Sequence, residues 1–192
     1  TDLTHTALCE GCGYTSVEAH SFAEGKCICG TREHSEPVEL PNVKLAHTLN
    51  LASDISVNFV IPKQDLNGFD IHSVYVECIL DTFVGNEKTG TRTVELKPVE
   101  KGDYYYFTLT GLTAVQMNDS IVATLYGTKE GQLYASAVDI YSVATYAYSQ
   151  MNNPNRPESL KILCADLLRY GAKAQIYKEY HVSALADSAM TE

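Results

Sequence analysis

The sequence predicts a mainly β protein with a C-terminal α part: an antiparallel β-sandwich of about seven strands packed with a helical hairpin, behind a small cysteine-rich N-terminal segment. Three observations carry that expectation. Four of the six cysteines fall between residues 9 and 29; short runs from Val43 to Val138 alternate with period two; and from Asp139 onward the apolar period becomes helical. A chain of 192 residues is long enough for one full core and a small appendage.

The N-terminal segment, residues 1–36, reads C-x2-C at Cys9 and Cys12, a fourteen-residue spacer, then C-x-C at Cys27 and Cys29. Each pair is followed by a glycine, Gly13 or Gly30, which lets the backbone fold back so that amide N–H groups reach the thiolate sulfurs. Sizeable apolar side chains are few here (Leu3, Leu8, Tyr14, Val17, Phe22, Ile28), too few for a core, so the segment needs a staple. Structural zinc on Cys9, Cys12, Cys27 and Cys29 is the expectation, making this a zinc-knuckle segment. The tight second pair leaves room for His20 or His34 to replace one thiolate. Two disulfides are the main alternative, and a thioredoxin-type redox pair is disfavoured because CEGC does not join a strand to a helix.

A linker at residues 37–44 leads into the body, residues 45–180. There VKLAHTLNL, ISVNFVI, VYVECIL, TVEL, YYYFTL, SIVATLYG and QLYASAV read as seven strands, each with one buried face. LNGF, GNEKTG, EKGD and GTKEG supply turn chemistry between them, and hairpin-length breaks without helical crossovers predict a wholly antiparallel arrangement. Cys78 joins Val74, Val76 and Leu80 on a core face, and Cys164 joins a helical one, so both read as buried small hydrophobes.

In DIYSVATYAYSQM, Ile140, Val143, Ala144, Ala147 and Met151 share a helical face, with Asp139 placed to cap the N-terminus. NNPNRP ends that helix. A second, from about Glu158 to Tyr180, aligns Leu160, Leu163, Cys164, Leu167, Leu168 and Gly171, with Ala172, Gln175 and Ile176 near the same stripe. Gly171 costs about 1 kcal/mol inside a helix, so it predicts a close backbone approach. Residues 181–192 are small and polar and read as a tail or linker.

Net charge is −10, with Lys and Arg scattered, which argues against nucleic acid and anionic lipid as partners. No apolar run approaches the ~18 residues of a membrane span. The chain opens on Thr1 without a basic-then-apolar leader and reads as an excerpt or mature segment of a longer protein, in which it would act as a monomeric module.

Catalytic motifs are missing: no G-x-S-x-G, H-E-x-x-H, P-loop or G-x-G-x-x-G occurs, so a non-enzymatic role is expected. His47 is in phase with the strand around it and reads as a satisfied core or edge histidine; His72 has no partner at ligand spacing. DLNGFD lacks the spacing of a calcium loop. The aromatic balance, 13 Tyr, 5 Phe and no Trp, points to tyrosine as the contact residue if there is a contact surface. If Tyr105 and Phe107 face inward, Tyr104 and Tyr106 face outward, and with Tyr126 and Tyr134 they are the candidate partner-binding residues.

Three local patterns carry a resemblance: Ala114, Met117, Asp119 and Ile121 as A-x-x-M-x-D-x-I; Tyr141, Ser142, Val143 and Tyr146 as YSV-x-x-Y; and Leu167, Leu168, Tyr170, Gly171, Ala174, Gln175 and Tyr177 as LL-x-YG-x-x-AQ-x-Y. Residues 45–180 thereby resemble a module recurrent in large exported and cell-surface proteins of anaerobic Gram-positive gut bacteria. His20–Gly30 is similar to cysteine-knuckle spacers beside such modules, departing by one residue inside the second cysteine pair. The resemblance implies an extracellular, non-catalytic binding or adhesion module. Host protein is the implied partner, immunoglobulin the concrete superantigen-like case by analogy. A carbohydrate-binding module beside a glycan-degrading enzyme, or a structural spacer repeat, is the alternative; sugars stack best on Trp, which this chain lacks.

Overall fold

The computed structural model describes residues 4–8, 15–19, 22–23, 26–27, 36–40, 43–51 and 54–190. The chain divides into two compact units, Thr1–Glu36 and Pro37–Glu192. In the first, β1 (Thr4–Leu8) pairs antiparallel with β2 (Thr15–Ala19), and β3 (Phe22–Ala23) with β4 (Lys26–Cys27). The proposed zinc ligands Cys9, Cys12 and Cys29, and the substitutes His20 and His34, lie outside the described residues; of the set only the backbone of Cys27 is placed, opposite Phe22.

The second unit is mainly β with a C-terminal helix pair. All seven expected strands form: β6 (Ala46–Leu51), β7 (Ile55–Pro62), β8 (Asp70–Val84), β9 (Glu87–Leu96), β11 (Tyr104–Leu112), β12 (Ile121–Lys129) and β13 (Gln132–Ser136). Three three-residue strands join them: β5 (Val38–Leu40), β10 (Val99–Lys101) and β14 (Asp139–Tyr141). One sheet runs β10-β11-β7-β6; the other runs β5-β13-β12-β8-β9, with β14 also on β12. Alternation does what it predicts. Val57, Phe59 and Ile61, Phe107 and Leu109, and Val74, Val76, Cys78 and Leu80 are all buried, and residues of both sheets belong to one hydrophobic cluster.

The arrangement is not wholly antiparallel. β5 lies parallel to β13, pairing Val38 with Tyr134 and Leu40 with Ser136. Hairpin-length breaks constrain only consecutive strands, whereas most of the unit separates these two, ample length for a parallel return. Residues read as a linker therefore begin the second sheet.

Helix α1 (Val143–Met151) starts later than expected. Asp139–Tyr141 satisfies its backbone on β12, so Ile140 is exposed instead of joining the helical face, and the cap is Ser142, whose Oγ accepts from the Thr145 N–H at 2.9 Å. Helix α2 (Glu158–Lys178) buries Cys164, Leu168, Gly171, Ala172 and Gln175, while Leu163 and Ile176, expected near the buried stripe, are exposed. The expected close approach at Gly171 is there: a Cβ would fall 2.7 Å from Met117 Sδ and 3.3 Å from the Ala114 carbonyl oxygen.

His181–Met190 is packed rather than frayed. Gln175 Nε2 donates to the Ala184 carbonyl at 3.0 Å, and its Oε1 accepts from the Ala186 N–H at 2.8 Å. Tyr148 OH donates to the Ala186 carbonyl at 2.9 Å, and Ala186 itself is fully buried. One buried glutamine thus converts a small polar stretch into part of the core's lid.

Candidate functional site

The outer face of the four-stranded sheet is built by the tyrosine run of β11. Tyr105 and Phe107 turn toward the core, which leaves Tyr104 and Tyr106 on the outside. Register sets their neighbours: Tyr104 lies between Pro62 and Lys101, Tyr106 between Val60 and Val99. Tyr104 is 45% exposed and Val99 61%, and Lys101 Nζ sits 5.5 Å from the Tyr106 ring centroid. Farther along the same face, Thr108 Oγ1 donates to Asn58 Oδ1 at 2.7 Å and Asn58 Nδ2 donates to Thr48 Oγ1 at 3.1 Å. Aromatic, aliphatic and cationic groups thus stand beside a hydroxyl–amide ladder spanning three strands.

Tyr126 and Tyr134 do not join this face. Tyr126 lies on the other sheet, stacked on Tyr75 at 5.2 Å and 21°, with Lys97 Nζ 5.0 Å above the Tyr75 ring. Burial raises both phenols above their ordinary range, with Glu95 and Glu77 adding to it at Tyr75 and Glu77 at Tyr126. Tyr134 is opposite Gly127, one position out of phase with Tyr126, and packs edge-on against Phe69 at 5.6 Å. Gly127 makes room for that contact, since a Cβ there would sit 3.0 Å from both Phe69 and Val74. Tyr75 carries no local signal in the sequence; its place opposite Tyr126 comes from strand register.

A cleft of about 440 Å³ opens beside the tyrosine strand, lined by Ile71, His72, Lys97, Pro98, Glu100 and Tyr105. Lys63 pairs with Glu100 and stands 5.8 Å from the Tyr105 ring centroid.

The titratable clusters are structural in character. His47 Nε2 meets Asp139 Oδ2 at 2.5 Å, its ring stacked 3.8 Å from Tyr141 and edge-on to Phe59. That is the satisfied edge histidine the strand phase predicts. The nearby Cys78 thiol is fully buried and pushed up to about 12, by burial first and then by Asp139 and Glu77, so it stays protonated. Cys78 and Cys164 are free thiols. Among the described residues no group of three or more His, Cys, Asp or Glu side chains converges as a metal site, and no helix is long and apolar enough to cross a membrane.

Asp119, the acidic residue of the A-x-x-M-x-D-x-I pattern, is 3% exposed. It accepts from Tyr180 OH at 2.5 Å and meets His181 Nδ1 at 3.2 Å, the His181 ring lying 4.0 Å from Phe83. Burial raises its carboxyl above the ordinary value, and the hydrogen bonds from Tyr180 and His181 oppose that rise. An acid raised in the folded state keeps its proton where the unfolded chain has lost it. The stability it contributes is complete below the unfolded value and is lost as pH rises through the folded one. Asp119→Asn removes that titration, so its melting temperature relative to the parent chain should improve as pH rises from the ordinary carboxylate range through the raised folded value. A constant difference would refute the assignment.

No protein-family model matches the chain, and neither does any curated protein. Among solved structures, a Br derivative of BhCBM56 aligns with 57% of this chain and 96% of its own at 14% identity, with a TM-score of 0.30.

Proposed function

We propose that the chain is a non-catalytic binding module of an exported cell-surface protein, contacting a host protein, with immunoglobulin the first candidate. The supporting observation is the group of exposed Tyr104, Val99 and Lys101 with half-buried Tyr106 on one sheet face. Tyrosine gives large amphipathic contact area at low entropic cost, and a flat face with a central aromatic pair suits a protein surface. The test is Tyr104→Ala with Tyr106→Ala, measured by calorimetry against purified immunoglobulin. Binding by the parent chain and a loss of at least about tenfold in the variant, with melting unchanged, are expected. Binding that the double variant leaves intact would sink the site.

The hydroxyl–amide ladder of Thr48, Asn58 and Thr108, on the same face as Tyr104 and Tyr106, favours a second reading, glycan binding. A glycan array decides between them: a hit abolished by the same tyrosine substitutions, with no response to immunoglobulin, selects the glycan.

For the N-terminal unit the proposal remains structural zinc on Cys9, Cys12, Cys27 and Cys29, supported by their spacing. Metal analysis should return about one zinc per chain, and a chelator should abolish a melting step of residues 1–36. Intact disulfides without metal would overturn it.

A further inference from the structure

Helix α2 carries two apolar arcs, and only one of them is used by the fold. The core takes Cys164, Leu168, Gly171, Ala172 and Gln175. A second line, Leu163, Leu167, Tyr170, Ala174 and Tyr177, repeats with steps of four, three, four and three, the spacing of a coiled-coil seam. Leu167 is half-buried at its margin, but Leu163 is 52% exposed, Tyr170 63% and Tyr177 81%. The other exposed apolar residues of the helix, Ile162 and Ile176, form no such line, because Asp166, Arg169 and Lys173 lie between them on their own face.

We propose that this seam seats the same seam of a second copy of the chain, with the two α2 helices antiparallel about Tyr170. The charges beside the seam choose both the occupant and the orientation. Asp166 and Lys173 flank it on the side away from the core. Around an antiparallel two-fold at Tyr170, Asp166 of one copy falls opposite Lys173 of the other, and the relation repeats by symmetry. In a parallel pair Lys173 would face Lys178 of the second copy, a like-charge contact. The seam from Leu163 to Tyr177 is about 21 Å long, and its exposed side chains supply roughly 1,000 Å² over both copies. That is the low end for a specific interface, so the pairing is weak, with a dissociation constant of about 10–100 µM, and two modules held near one another would gain from it.

Sedimentation of the whole 192-residue chain in reductant, from about 1 to about 500 µM, tests this. The mass should rise from 21.1 kDa toward twice that value. Tyr170→Glu should weaken association at least about tenfold with unchanged melting, because the ring is exposed in the single chain. Lys173→Asp should weaken it, and adding Asp166→Lys should restore it. A chain monomeric throughout the range, or a dimer indifferent to Tyr170→Glu, overturns the proposal. A dimer that Lys173→Asp strengthens overturns the antiparallel orientation.

Discussion

Phe107→Ala should lower the stability of the second unit by about 4 kcal/mol, the largest effect expected of a single substitution here. Phe107 is fully buried and pairs across the strands with Phe59, also fully buried, at the centre of the four-stranded sheet. Truncation removes most of an aromatic side chain from a close-packed interior. Relaxation is confined because flanking β-strands hold their register through backbone hydrogen bonds. Denaturant unfolding followed by tyrosine fluorescence reads this well, since every tyrosine except Tyr14 lies in the second unit. A loss below about 2 kcal/mol would mean that the two sheets do not close over this ring.

Gly171→Val should cost about 3 kcal/mol by a different route, overpacking. The space a side chain would need is already held by Met117 Sδ at 2.7 Å, Ala186 Cβ at 3.1 Å and the Ala114 carbonyl oxygen at 3.3 Å. The carbonyl belongs to the backbone of a short 3₁₀ turn, Ala114–Gln116, and cannot swing aside as a flexible side chain does. Gly171→Ala gives the sharper control. Alanine gains about 1 kcal/mol of helix propensity, so a net loss would have to come from the clash. An alanine variant more stable than the parent would show that the approach is looser than these distances state.

Much of the fold is legible because period-two alternation and burial are the same fact seen twice. Val57, Phe59 and Ile61 could be placed inside from their spacing alone, as could Val74, Val76 and Cys78. What local spacing cannot encode is which sheet a strand joins. The candidate tyrosines Tyr104 and Tyr106 on β11 and Tyr126 on β12 thus belong to different sheets, which their spacing does not tell. Tyr134 lies opposite Gly127, beside a register shift between β12 and β8, and packs on Phe69, a placement that local spacing does not encode. Asp139 looked like a cap because its identity suits one, yet the backbone behind it had a better partner in β12. The polar tail offers no signal for its packing: the helical period puts Gln175 near the buried stripe, but not which backbone groups its amide meets.

Several residues of the three local sequence patterns meet where the helix pair adjoins the strands. Met117 and Gly171 touch there, Ser142 caps α1, and Asp119 holds Tyr180 and His181. Such positions preserve a shape.

The short parallel pairing of β5 with β13 has a mechanical corollary. Were the chain gripped at both ends and stretched, tension entering from the first unit would reach Val38, Glu39 and Leu40 before any other strand of the second. Val38 is 46% exposed, so peeling it away uncovers little oily surface. That rim would yield first and pay out a few residues of slack while the Phe59–Phe107 interior stays shut. It is a built-in fuse against shear.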